Sequence, residues 1–316
     1  MSQIFDAMHR SEGERSGADL TKLSDAADLL EVAERQVAQF VTEGDHQTLR
    51  VQADQFSQFQ SLQTRVSPES RLVCVTEQES LAAEKFRFLG VRLRHLQQTR
   101  PLKRLLVTSA MAEEGKSTVA ANLACILARR QLQKTLLLEG DLRRPSLADR
   151  LGLGKIPGLS ELLQGEPAAS MNIYQLEGSG FWILPAGSPP RNPLELIQSG
   201  NLSLLMDQLA GWFDWIVIDS PPVLPLADTS VWMRMADAVL LVTRPGKTAK
   251  RQLQRALEAV EQSKLLGALV NGSKEVSLGD YYHYYASKTT GAKAGRTAGA
   301  QTSKTAGIQA VGPETK

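Results

Sequence analysis

Short apolar runs recur along the chain from about residue 76. Between them lie longer stretches in which apolar residues return every three or four positions. The runs are Arg104–Thr108, Thr135–Gly140, Phe181–Pro185, a segment ending at Asp219, Ala238–Thr243 and Gly267–Asn271. They do not alternate with polar residues, which is the pattern of strands covered on both faces in a parallel sheet. The stretches between them predict helices over Thr76–Gln98, from the turn at Gly115 onward, around Gly158–Gln164, within Leu194–Gln208 and over Thr248–Lys264. On the first of these, Leu81, Phe86, Leu89 and Leu93 form an apolar face, and Glu84, Arg87, Arg92 and Arg94 form a charged one. That charged face is either solvated or a subunit contact. The rhythm as a whole predicts an α/β fold, a mostly parallel sheet flanked by helices.

The ends of the chain lack this rhythm. Residues 1–75 are polar and weakly periodic, with thin apolar faces at Ile4, Phe5, Met8, Leu20 and Leu23, and read as a partly helical docking segment. Ser67 to Ser70 marks the boundary to a domain over 76–272. Residues 273–316 hold a tyrosine cluster, Tyr281, Tyr282, Tyr284 and Tyr285. A Gly, Ala, Lys and Thr tail follows, with net charge +4 over 286–316, and is expected to be disordered.

Composition narrows the class. Hydrophobic residues at 42% and charged residues at 22% fit a soluble globular chain, and a net charge of +2 singles out no nucleic-acid partner. Two cysteines, Cys74 and Cys125, make no disulfide framework. The start is too polar for a signal peptide, and no apolar run nears the roughly 20 residues of a membrane helix. A cytoplasmic protein is expected.

The chemistry concentrates where the first core run meets its helix. Ala110, Met111, Ala112, Glu113 and Glu114 lead into Gly115, Lys116, Ser117 and Thr118, the relaxed phosphate-loop spacing. Backbone N–H groups at the start of such a helix point at phosphates, aided by the helix dipole. Lys116 can reach the outer phosphates, and the Ser117 hydroxyl can ligate Mg²⁺. Gly115 is the only glycine in this turn. A non-glycine residue held at positive φ there costs roughly 1–3 kcal/mol. A glutamate facing a phosphate at about 4 Å is repelled by about 4 kcal/mol. Glu113 and Glu114 are therefore expected to point outward.

Asp219 ends an apolar strand as an Mg²⁺-holding carboxylate does. Glu139 and Asp141 stand two residues apart, so an extended chain sends both to one face. Glu139, Asp141 and Asp219 together suit metal binding and base work. Arg143 is either a nucleotide or substrate contact or a surface salt bridge. The tyrosine cluster lacks the pattern of a buried strand and suits flexible phosphoacceptors better than an aromatic binding patch.

These features together resemble the bacterial tyrosine autokinases of capsule and exopolysaccharide synthesis, over about Glu77–Tyr285. VTSAMAEEGKSTVAANLA matches that family's first phosphate motif, LLLEGDLRRPSL its second acidic motif and FDWIVIDSPPVLPLADT its Walker B segment. The resemblance implies a P-loop NTPase-type domain using ATP and Mg²⁺ to phosphorylate tyrosine, largely between subunits of a homo-oligomer. It implies Lys116, Asp141 and Asp219 as catalytic residues. It places Ser117, Glu139 and Asp219 on the metal, an adenine contact at Asn271 and the acceptors at the tyrosine cluster. It further implies a membrane activator of polysaccharide export that holds the protein at the inner face of the plasma membrane, a counteracting tyrosine phosphatase, and no nucleic acid. The sequence departs from the family where Glu139 stands for Asp. In the family's Glu-x-x-Arg-x-x-Arg assembly motif, Glu84 and Arg87 are followed by Gly90. Two other classes compete: a partition or cell-division ATPase switch, disfavoured by Met111 where those proteins carry a lysine, and a nucleotide-binding scaffold without transfer.

Overall fold

The computed structural model describes residues 56, 59–63, 66–129, 133–165 and 171–272. The chain divides into Met1–Gln60 and Ser61–Lys316; the fold below is that of the second unit. The tyrosine cluster, the tail and the N-terminal helices expected over residues 4–23 lie outside the described residues.

The strands are β1 (Gln60–Leu62), β2 (Arg104–Ser109), β3 (Thr135–Glu139), β4 (Tyr174–Leu176), β5 (Trp182–Leu184), β6 (Trp215–Asp219), β7 (Ala238–Thr243) and β8 (Leu265–Val270). The sheet order is β1-β4-β5-β3-β6-β2-β7-β8. The pairs from β5 to β8 are parallel, and β4 joins β5 antiparallel. The sheet is thus the mostly parallel one the apolar runs predict. The two-residue alternation puts Leu105, Val107, Leu137, Trp215 and Val217 into one cluster with the central helix. Their neighbours Leu106, Leu136, Leu138, Ile216 and Ile218 are equally buried on the other face.

Nine helices are described: α1 (Val73–Thr76), α2 (Leu81–Thr99), α3 (Lys116–Ala128), α4 (Leu147–Arg150), α5 (Leu159–Gln164), α6 (Pro193–Gln198), α7 (Gly200–Trp212), α8 (Asp228–Met235) and α9 (Lys250–Ala259). The helix expected from Thr76 starts instead at Leu81, because the Ser80 hydroxyl caps it by accepting from Ala83 N at 3.1 Å. The stretch 194–208 is two helices, parted where Ser199 turns extended. The helices α4 and α8 and the strand β4 were not read from the sequence; all are short or hold buried polar residues.

The compact unit also begins earlier than the boundary read from composition. Leu72 and Cys74 are buried in the main cluster. Asn122 of α3 ties them down, with Oδ1 accepting from Cys74 N and Nδ2 donating to Arg71 O. Burial pushes the Cys74 thiol up to about 12, so it behaves as a core residue.

Gly90 has a packing reason. It is buried where α2 crosses α3, and a Cβ there would collide with the Ile126 side chain. An arginine at this position would break the crossing. Arg87 is held by Glu84 and the Gln78 carbonyl, and Arg92 lies 5.8 Å from the centre of the exposed Phe88 ring.

Candidate active site

The loop after β2 and the carboxyl ends of β3, β6, β7 and β8 meet at a cavity of about 830 Å³. This is where open α/β sheets bind ligands. Gly115, at φ 96°, caps α3, and the Asn271 side chain occupies the space a Cβ would need. Glu113 takes φ 64°, a left-handed conformation without glycine's freedom. What holds it is a clamp from the loop after β7. Lys247 Nζ lies 2.7 Å from Glu113 Oε2, and Arg244 donates to the Glu113 carbonyl at 3.5 Å. The Lys247 contact holds the Glu113 carboxyl below its ordinary value.

Glu113 is exposed, as the sequence predicts, but Glu114 is not. Glu114 is turned inward and buried, accepting from Met111 N at 3.0 Å and from the Thr248 hydroxyl. Its carbonyl accepts from Asn271 Nδ2 at 2.9 Å. The loop is short of glycine, so a buried glutamate and an asparagine fix its shape. Thr248 carried no signal in the sequence, and the inward turn of Glu114, expected outward, arises only when the loop after β7 and the end of β8 reach the phosphate loop.

Lys116 reaches toward the end of β3. Its Nζ is 2.9 Å from Asp141 Oδ2 and 3.9 Å from Asp219 Oδ1. Burial alone would lower the lysine's pKa; the carboxylates of Asp219 and Asp141 overcome it and raise it. Asp219 is fully buried, and both its oxygens lack a hydrogen-bond partner. Burial raises its pKa against the opposing pull of Lys116. An unsatisfied carboxylate beside the Ser117 hydroxyl and a phosphate-loop lysine fits the oxygen ligand set of Mg²⁺.

Glu139 is held differently. The strand β3 ends at Glu139, and the chain turns at Gly140, whose N–H donates to Asp219 O at 2.7 Å. The alternation expected to send Glu139 and Asp141 to one face therefore stops between them. Asp141 turns to Lys116, while the Glu139 carboxylate accepts from Ser146 N, Leu147 N and Ala186 N, the latter two at 2.6 and 3.1 Å. Glu139 thus serves the start of α4. Among the described residues no group of three or more His, Cys, Asp or Glu side chains is arranged to hold a metal.

Arg143 forms a salt bridge and also lines the cavity. Its guanidinium grips the buried Asp228 at 2.8 and 3.0 Å in a forked pair. Arg71, Arg144 and Arg150 line the same cavity and were not singled out by the sequence. The cavity also takes in Met111, Ala112 and Thr118, while Ala110 lies buried behind the loop.

A glycine-capped phosphate loop with a conjoined lysine and buried aspartates defines a P-loop phosphoryl-transfer domain. Comparison with known proteins narrows it further. The tyrosine-protein kinase YwqD of Bacillus subtilis (strain 168) is 34% identical over 222 residues, spanning 70% of this chain and 93% of the relative. The chain belongs to the bacterial tyrosine-protein kinases. No family model matches. Among solved structures, the chimerical protein CapA2B2 superimposes with a TM-score of 0.61 at 29% identity, covering 71% of this chain and all of that one. The kinase domain of Escherichia coli tyrosine kinase ETK also reaches 0.61 at 29% identity, covering 65% and 82%.

Proposed function

We propose that this chain transfers the γ-phosphoryl group of ATP to tyrosines of its own C-terminal cluster, Tyr281, Tyr282, Tyr284 and Tyr285, between subunits of a homo-oligomer. The observation that carries the reading is the buried Asp219 carboxylate, unpartnered beside Lys116 and Ser117. Asp219 and Ser117 would hold Mg²⁺, which supplies charge neutralisation on the transferring phosphates. Lys116 is now tied to Asp141; when it turns to the phosphates it frees Asp141 Oδ2. That oxygen is then placed to accept the tyrosine proton as the new P–O bond forms and ADP leaves. Arg144 N, donating to Asp141 Oδ1 at 3.1 Å, keeps the carboxylate oriented meanwhile. Asn271, fixed against the loop and lining the cavity, would contact the base.

Among the described residues no helix is long and apolar enough to cross a membrane. A separate membrane activator of capsule or exopolysaccharide export, docking the polar residues 1–60 ahead of the compact unit, is the partner we propose, with a tyrosine phosphatase reversing the modification. Incubating the full chain with ATP and Mg²⁺ and mapping phosphotyrosine by mass spectrometry tests the reading. Phosphate on the cluster is expected. ATP turnover without any phosphotyrosine would favour the partition-type switch, and nucleotide binding without turnover the scaffold.

A further inference from the structure

The cations around the cavity fall on two sides of Lys116. Arg244 and Lys247, with Asn271, belong to the β7–β8 side and are occupied by Glu113. On the β3 side stand Arg143, already held by Asp228, with Arg144 and Arg150, and Arg71 lines the same cavity. Asp141, the residue proposed above to take the tyrosine proton, stands on this side, so the acceptor hydroxyl arrives from here. Nucleotide phosphates are already served by the loop amides, Lys116 and the helix start. That leaves Arg71, Arg144 and Arg150 available to a second anion.

They are also poorly neutralised. Arg150 donates to two hydroxyls, Thr118 Oγ1 at 3.3 Å and Ser146 Oγ at 3.4 Å, not to a carboxylate. None of the three forms an ion pair among the described residues. The acids sharing the cavity are Glu69, Glu113, already paired with Lys247, and Asp141, already paired with Lys116. Arg144 also acts on Glu113 across the mouth. Backbone contacts keep the side in place: Asn122 Nδ2 donates to both Arg71 O and Thr118 O at 2.9 Å. Forked guanidinium groups match carboxylate and phosphate oxygens.

The acceptor segment supplies such oxygens. Asp280 precedes Tyr281, and each tyrosine of the cluster has another tyrosine next to it or two residues away. A transferred phosphate adds about −1.5 to −2 charge and three acceptor oxygens beside the next target.

We propose that Arg144 and Arg150, with Arg71, form an acceptor-side anion clamp that selects tyrosines flanked by negative charge, first Asp280 and then a phosphate already placed on a neighbouring tyrosine. This rests on the kinase reading above and assigns its substrate class, acidic and phosphorylated tyrosine peptides. Modification of the cluster then starts at Tyr281 and accelerates as it proceeds. Each step remains ordinary transfer from ATP to a tyrosine oxygen, with the clamp binding only the neighbouring anion.

Three peptides spanning residues 279–288 test it: the natural sequence, Asp280→Asn, and the natural sequence phosphorylated at Tyr281. The full chain is assayed on each with ATP and Mg²⁺, and nucleotide affinity is measured in parallel with a fluorescent ATP analogue. A charge-assisted contact predicts kcat/KM about tenfold higher for the phosphopeptide than for the natural peptide, and several-fold lower for Asp280→Asn. In R144A/R150A the three values should converge to within about twofold while nucleotide affinity holds, as expected once the charge-assisted contacts are gone. Equal rates on all three peptides with the unsubstituted chain, which needs no variant to fold, would overturn the clamp and leave the kinase reading standing. Loss of nucleotide affinity in step with acceptor rate in a folded R144A/R150A would also overturn it, by assigning the arginines to the nucleotide. Absence of any phosphotyrosine would overturn both readings.

Discussion

Glu139 and Asp219 are register partners at the carboxyl ends of adjacent parallel strands, and both are almost wholly buried. Burial raises the pKa of each. Their surroundings nevertheless differ. Glu139 is met by three backbone N–H groups and caps a short helix, whereas Asp219 has no hydrogen-bond partner and faces a lysine at 3.9 Å. A satisfied buried acid supports the fold; an unsatisfied one holds stability in reserve for a ligand. Proximity to the phosphate loop does not separate the two, but hydrogen-bond satisfaction does.

The contrast is broken most severely at Asp219. Asp219→Asn should abolish tyrosine phosphorylation, yet raise the ligand-free melting temperature by roughly 2–4 °C for each kcal/mol recovered. The pH sign follows from linkage. The folded chain keeps the Asp219 proton to a higher pH than the unfolded chain, so its buried charge costs stability as pH rises through the window above 3.8. The gain of the Asn variant should be absent below that window and full above it. A variant less stable than the parent at neutral pH would show that Asp219 serves the fold after all.

Lys116→Met is next. It should remove phosphotyrosine and, by leaving Asp141 and Asp219 without their cation, cost about 3 kcal/mol at neutral pH. Without the lysine's opposing pull the buried Asp219 would take up its proton more readily, so acidification should restore part of this loss. Denaturant melts at two pH values would measure it, and a pH-independent loss would contradict the charge account.

Changes at Glu139 should move stability and spare chemistry. Glu139→Asp restores the residue usual in the family but draws the carboxylate back from Ser146, Leu147 and Ala186. A loss of about 1–2 kcal/mol, with turnover within about twofold, is expected. Markedly faster turnover would return Glu139 to the metal site. The smallest effect belongs to Glu113→Gln, which removes an exposed ion pair with Lys247 and leaves the backbone clamp from Arg244. Steady-state kinetics should show a change in the KM for ATP of less than about threefold, in line with exposed pairs elsewhere.

Much of this was legible in the chain. The uninterrupted apolar runs fixed a doubly covered parallel sheet, because only burial on both faces removes the need for polar alternation. The phosphate loop could be read because its spacing along one strand–turn–helix unit is itself the chemistry, and Asp219 because it closes a wholly apolar run. Other features depended on pieces distant in sequence. The inward turn of Glu114 requires Thr248 and Asn271, more than 130 residues away. The hydrogen bonding of Glu139 requires Ala186 and the end of β3 at Glu139. Arg150 joins the cavity only through Thr118 of α3, and Gly90 is explained only by Ile126 across a helix crossing. Local periodicity determines which elements form, since each residue's neighbours are set by the backbone repeat. Which buried charge is satisfied and which is left for a ligand was decided by tertiary contact, because the donors that settle it come from other elements.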